Sequence, residues 1–298
     1  MQNQKQTEVC MQTSDNYIVG ENEYLKDDMI YCKNCGEPKL YEFEDWEEHK
    51  DNALLKVPRR VRVVCSCKQV ELMKEKELKE KMELMNKYTR LRELSLIEKN
   101  LGERYFNASF ETMDMNVDES IIKAHTRCKK FCENYQECLK NGYGIYLFGN
   151  CGNGKTYLMA CIVNELTKKY VPCVITNFLE ISKEIRKTYN GNTKDCESDL
   201  IKQLVDIPLL LLDDIGTERL QINGEDTFIQ EKIYDIVNSR YIHKKSTIFS
   251  GNLSFSELIE QKGMWQKTVD RIVEMSSAII EVKGESYRIK NRKKDLPF

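Results

Sequence analysis

From about residue 120 onward, short runs that are almost wholly apolar alternate with longer stretches in which apolar residues recur every three or four positions. The apolar runs fall at 145–148, 173–176, 209–212, 247–250 and 278–282. The periodic stretches fall around 120–140, 155–170, 178–189, 198–205, 226–243 and 255–275. A strand with no polar face is buried on both sides, and strands separated by helices are joined by crossovers. The pattern therefore predicts an α/β domain, a five-stranded parallel sheet with helices on both faces.

Upstream the pattern changes. Residues 69–100 alternate Lys and Glu without Gly or Pro, and read as one long helix with a narrow apolar stripe of Leu78, Met82, Met85 and Leu91. Residues 29–68 hold cysteines and a short β-like run, "VRVVCSC", and residues 1–28 are polar and acidic, with disorder expected. The expected organisation is thus a disordered start (1–28), a small cysteine module (29–68), a helical linker (69–100) and a nucleotide-binding domain (101–298).

The nucleotide assignment comes from the residues directly after the first apolar run: Gly149-Asn150-Cys151-Gly152-Asn153-Gly154-Lys155-Thr156-Tyr157. This matches the phosphate-loop spacing G-x-x-x-x-G-K-[ST] at every position. Glycines let backbone N–H groups converge on an anion, and the helix behind them adds its own N-terminal N–H groups. Lys155 is placed to reach the outer phosphates of ATP, and the Thr156 hydroxyl to ligate Mg²⁺. The run "PLLLLDDIG" supplies the second half, a buried strand ending in Asp213 and Asp214. Asp213 suits the acid that holds Mg²⁺ through water, and Asp214 the base that activates the attacking water. One strand later "TIFSGNL" ends in Asn252, whose amide is suited to touch the γ-phosphate or orient that water.

These residues carry a resemblance. A phosphate loop, an Asp-Asp strand and a strand ending in Asn resemble an AAA+ ATPase. Together with "ERYFNASFETM", "VNSRY", "DRIVEM" and "GESYR", the stretch 104–290 resembles the bacterial replicative-helicase loaders of the DnaC/DnaI type and their relative IstB, the helper of transposition. The resemblance implies an ATPase that binds the replicative helicase and helps load it onto single-stranded DNA, working as a homo-oligomer through its AAA+ domains. It also implies that Arg271, in "DRIVEM", is an arginine finger for a neighbouring subunit. Arg240, in "NSRY", is a candidate for the subunit boundary or for a salt bridge, and Arg288, in "SYR", has an open role.

Cys32-x-x-Cys35-Gly looks like a zinc knuckle, and Cys65-x-Cys67 offers a second pair for tetrahedral Zn²⁺, with His49 as a competing ligand. Such a module has little core and needs a staple. In the resembling loaders the N-terminal part docks on the helicase, so the module is expected to be a protein-binding head. Cys128, Cys132, Cys138, Cys161, Cys173 and Cys196 show no ligand spacing and read as small hydrophobes.

Composition limits the partners. Among 298 residues, 48 acidic side chains face 46 basic ones, so any nucleic-acid contact must be local. Lys183, Arg186, Lys187 and Tyr189 form the first candidate for DNA. The tail residues Arg288, Lys290, Arg292, Lys293 and Lys294 form the second. No run approaches membrane-spanning length, and the polar N-terminus lacks a signal-peptide core, so a cytoplasmic protein is expected. Two other functions fit the motifs: an IstB-like DNA-binding transposition helper, which the cysteine head disfavours, and an ATP-clamped adaptor with little turnover, which the acid at Asp214 disfavours.

Overall fold

The computed structural model describes residues 10–14, 17–20, 23–26, 29–36, 41–43, 60–62, 66–99, 103–113, 117–189, 197–216, 224–260, 265–284 and 286–287. The chain divides into two compact units, Met1–Glu80 and Lys81–Phe298.

In the first unit the described strands pair two by two. β1 (Cys10–Ser14) runs antiparallel to β2 (Tyr17–Gly20), β3 (Glu23–Lys26) to β4 (Met29–Cys32), and β5 (Tyr41–Phe43) to β6 (Arg60–Arg62). β1, β2 and β3 fall within the residues whose polarity suggested disorder. The local reason is chemical: Tyr17-Ile18-Val19 is a β-branched and aromatic run closed by Gly20. Across β3 and β4, Tyr24 and Tyr31 stack with ring centroids 5.4 Å apart.

The helix expected over 69–100 is shorter and starts earlier. α1 spans Ser66–Lys87, a 3-10 turn follows at Thr89–Leu94, and α2 covers Leu96–Lys99. Hydrogen bonds tighten to three-residue spacing where Tyr88 N–H meets the Met85 carbonyl and Leu91 N–H meets the Tyr88 carbonyl. That change of pitch lets Tyr88, Leu91, Leu94, Leu96 and Ile97 all turn into apolar core, while Leu78 and Met82, from the predicted stripe, stay exposed.

The second unit is the three-layer α/β domain. After α3 (Glu103–Phe106), the predicted helix around 120–140 breaks into α4 (Glu119–Glu133) and α5 (Tyr135–Asn141). Asn134 makes the break: its N–H and its side-chain amide both bond to the Lys130 carbonyl. Then come β7 (Ile145–Phe148), α6 (Lys155–Lys168), β8 (Cys173–Thr176), α7 (Phe178–Tyr189), α8 (Glu197–Asp206) and β9 (Leu209–Ile215). The domain closes with α9 (Gly224–Ile242), β10 (Thr247–Gly251), α10 (Phe255–Ile259), α11 (Trp265–Met275) and β11 (Ala278–Glu281).

All five of these strands are parallel, in the order β11-β7-β10-β9-β8. Successive residues of a strand serve opposite faces. Leu209 and Leu211 join the apolar layer with Leu158, Ile162 and Cys128, whereas Leu210 and Leu212 join the layer with Ile181, Ile233 and Ile272. β7, β8, β9 and β10 thus contribute to both layers, whereas β11, at the edge of the sheet, leaves Ile279 and Glu281 exposed, contrary to the expectation from its apolar run.

Candidate functional site

This strand order places β10 between β7, which feeds the glycine loop, and β9, which carries the paired aspartates. Polar residues at the carboxyl ends of these three strands converge, as at the ligand edge of open α/β sheets.

The loop from Gly149 to Gly154 leads into α6, which Lys155 opens. At Gly152 the glycine is required twice over: φ is 86°, and a Cβ would collide with the Ser286 side chain. The loop is pinned by the far end of the chain. Tyr287 donates its N–H to the Gly152 carbonyl (3.0 Å), and Asn153 Nδ2 donates to the Val282 carbonyl (2.7 Å). Cys151, within the loop, is exposed. Tyr157, with Tyr105 and Tyr287, walls a hollow of about 60 Å³ beside Gly152, Gly154, Lys155 and Thr156. Its hydroxyl lies 3.1 Å from Thr112 Oγ1.

Lys155 is buried and donates to the carbonyls of Gly149 (2.7 Å) and Asn150 (2.9 Å) and to Asn252 Oδ1 (3.2 Å). Thr156 Oγ1 donates to Asp213 Oδ2 at 2.9 Å. Burial pushes the Asp213 carboxyl above the ordinary carboxylate range, and the hydrogen bonds from Ser250 and Thr156 pull against it. Asp214 is exposed, has a left-handed φ of 62° and accepts from Asn252 Nδ2 at 3.3 Å. The predicted residues thus form two hydrogen-bonded sets, Thr156 with Asp213 and Lys155 with Asn252 and Asp214, which Ser250 joins into one network. Its chemistry fits Mg²⁺ and a triphosphate: hard oxygen donors from Thr156 and Asp213, an ammonium at Lys155, and the N-terminus of a 14-residue helix.

Ser250 completes this network and was not among the expected residues. Its hydroxyl donates to Asp213 Oδ1 and accepts the Asp214 N–H (3.1 Å). The available signal was a hydroxyl standing in an otherwise apolar stretch of β10.

The two arginines separate. Arg240 is fully buried and donates to the carbonyls of Leu204, Val205, Ile207 and Ser246 and to Thr247 Oγ1. Burial pushes its pKa down to about 9. The expectation of a boundary residue or a salt bridge is corrected: Arg240 is a bolt through backbone carbonyls that close the starts of β9 and β10, with no surface to offer a neighbour. Arg271 stays partly exposed on α11. Its Nε donates to Asn238 Oδ1 (3.0 Å), its guanidinium lies 4.7 Å from the Tyr241 ring centre, and Glu274 is 3.4 Å from its Nη1. These partners come from α9 and α11 and hold the guanidinium on that helix pair.

On α7, Lys183 and Lys187 are exposed but paired with Glu180 (2.7 Å) and Glu184 (2.8 Å), leaving Arg186 as the further exposed cation of the expected patch. Tyr189 ends that helix. Arg288 and the basic tail lie outside the described residues, as do Cys65, His49 and Cys196.

In the first unit, Cys32, Cys35 and Cys67 bring their sulfur atoms within 4.8 Å of one another. Cys32 ends β4, and Gly36 N–H bonds back to the Cys32 carbonyl (2.9 Å) with Gly36 at a φ of 69°, which shapes the knuckle. Cys67 comes from the first turn of α1, 3.6 Å from Cys32 Sγ. In the other unit, burial pushes the Cys128 and Cys161 thiols up to about 12, as suits small core hydrophobes.

Fold and site together define an ATP-binding protein of the AAA+ class. The chain belongs to the IstB-like ATP binding protein family, whose model matches residues 62–295. It is 30% identical over 181 residues to the replicative helicase loader DnaI of Bacillus subtilis (strain 168), covering 61% of this chain and 54% of that protein. To the replicative helicase loader DnaC of Buchnera aphidicola subsp. Baizongia pistaciae it is 29% identical, over 64% of this chain and 73% of that protein. A solved structure titled "Crystal Structure of the DnaI" is similar at 25% identity over 61% of this chain and 91% of that one, with a TM-score of 0.47. No helix among the described residues is long and apolar enough to cross a membrane.

Proposed function

We propose that the protein is an ATP-hydrolysing replicative-helicase loader, which docks on the helicase and helps place it on single-stranded DNA. The observation that carries the ATPase part is the linked pair of aspartates: Asp213 held by Thr156, Asp214 held against Asn252. In the reaction, the loop N–H groups and Lys155 bind the phosphates, releasing Lys155 from the loop carbonyls. Mg²⁺ supplies neutralisation of phosphate charge when held by Thr156 and, through water, by Asp213. Asp214 accepts the proton of the attacking water, which the Asn252 amide orients. Arg271 meets the charge that develops on the γ-phosphate of a neighbouring subunit. Zinc is assigned to Cys32, Cys35 and Cys67, with Cys65 as fourth ligand, and the unit it ties is assigned to the helicase. The similarity to DnaI and DnaC supports the partner, and the joined site supports turnover over a passive clamp.

The test reconstitutes loading. Purified protein, the cell's own replicative helicase and single-stranded circular DNA are mixed with ATP, and helicase retained on DNA is measured. Asp214→Asn should bind ATP yet hydrolyse it poorly, and loading should fail to recycle. Equal loading without the protein, or a preference for double-stranded DNA with no helicase binding, would favour the transposition-helper reading.

A further inference from the structure

Opposite the paired aspartates the sheet changes register. Phe249 pairs with Leu212 and Gly251 with Ile215, so β9 carries one more residue than β10 in that interval. Asp213 and Asp214 occupy the interval on β9, and Ser250 faces them from β10. Such a bulge interrupts the ladder and re-aims side chains. Ser250, itself fully buried, takes up the consequences. The Asp214 N–H can only donate, so the Ser250 oxygen accepts it at 3.1 Å. The hydroxyl's own proton then goes to Asp213 Oδ1. The other oxygen of that carboxylate is held by Thr156 at 2.9 Å. Asp214 meanwhile sits at a φ of 62°, a conformation that non-glycine residues keep only where the surroundings hold it.

We propose that Ser250 is a positioning residue for ATP hydrolysis: one hydroxyl fixes the plane of the Asp213 carboxylate and pins the left-handed turn that aims Asp214 at Asn252. The inference rests on the assignment of Asp213 to Mg²⁺ and of Asp214 to the attacking water. A carboxylate that serves a metal works best when its own orientation is fixed by hydrogen bonds, and losing such a partner typically costs about 10–100-fold in metal affinity or activity. Ser250→Ala removes the donor to Asp213 and leaves the Asp214 N–H without its acceptor in one step.

The experiment compares the full-length wild type with Ser250→Ala, Ser250→Thr and Asp213→Asn. Binding of a fluorescent ATP analogue is titrated in EDTA and again across Mg²⁺ concentrations. Steady-state turnover is measured beside it, and thermal melting checks folding. Ser250→Ala should match wild type in EDTA, need about tenfold more Mg²⁺ to gain the same affinity, and lose about 10–100-fold in kcat with a smaller change in KM. Ser250→Thr keeps the hydroxyl and should restore both. If its extra methyl lowers the melting temperature, Ser250→Cys, similar in size with a weak S–H donor, should fall between alanine and serine. A wild-type Mg²⁺ requirement in Ser250→Ala, with a raised one in Asp213→Asn, overturns the role of Ser250 alone. Unchanged requirements in both remove the Mg²⁺ assignment of Asp213 and the inference with it. Equal losses in EDTA and in Mg²⁺ would make Ser250 a packing residue, against the proposal.

Discussion

Residues 1–80 and residues 81–298 are each held together by different means. In the second unit β7, β8, β9 and β10 supply side chains to two apolar layers, the edge strand β11 covers one, and residues as far apart as Leu96 and Val282 share a layer. In the first, the described strands pair only two by two, and Cys32 is the buried side chain among the described residues there. Isolated two-stranded hairpins are marginal in water. Among the described residues of that unit, three thiols from β4, its knuckle and α1 come together. The difference teaches where each unit is vulnerable. The sheet domain depends on shape and satisfied backbone groups, and the head, on the zinc reading, depends on a ligand.

The sharpest way to break that comparison is to take the metal away. Structural zinc is worth about 10–16 kcal/mol in small zinc-finger peptides, so removal should be all-or-none for the head. Cys32→Ser should lose zinc by metal analysis and expose residues 1–80 to protease, with ATP binding unchanged. A head that stays protease-resistant after complete zinc loss would equalise the two units. Retention in a Cys65 variant with loss in His49→Ala would move the fourth ligand.

The second effect runs the other way. Arg240→Ala leaves buried carbonyls of Leu204, Val205, Ile207 and Ser246 without their donor. A cost of about 3–5 kcal/mol is expected, a fall of roughly 10 °C in the melting of the sheet domain, with zinc content unaffected. Calorimetry of the full chain reads both. Arg240→Lys should recover only part, because an ammonium cannot span the same fork of acceptors.

The smallest effect concerns the surface. Reversing Lys183, Arg186 and Lys187 should lower melting less than Arg240→Ala does, because the lysines are exposed although their partners Glu180 and Glu184 are buried. Binding to single-stranded DNA should weaken and its salt dependence flatten. Because Glu180 and Glu184 already engage two of these lysines, Glu180→Gln with Glu184→Gln should strengthen binding modestly. No change in either variant, measured by salt-titrated anisotropy, would remove α7 from the DNA surface.

The same contrast governs how far each region could be read in advance. The leucines of β9 and the glycine loop announce themselves because burial on both faces and phosphate binding each demand a contiguous pattern. Ser250 was harder, since its partners lie on another strand and its spacing from them carries no periodic signal. The strap on the loop was illegible for a related reason: Asn153 and Val282 stand 129 positions apart. Arg240 and Arg271 look alike in sequence, each the lone arginine of its helix. Only packing decides that one is sealed among carbonyls and the other lies over Tyr241. In the first unit, strands of three to five residues are too short for alternation to stand out against polar neighbours.

The strap also bears on how the protein can be handled. Ser286 and Tyr287 lie on the glycine loop, so the end of the last strand is, in practical terms, part of the nucleotide pocket. A truncation or a rigid fusion placed between β11 and Tyr287 would disturb the loop although the primary sequence places it far from the active centre. A reporter or affinity handle joined well beyond Tyr287 would leave that clamp in place. The same reasoning suggests where natural variation is constrained: length changes between β11 and Tyr287 reach the phosphate-binding backbone directly.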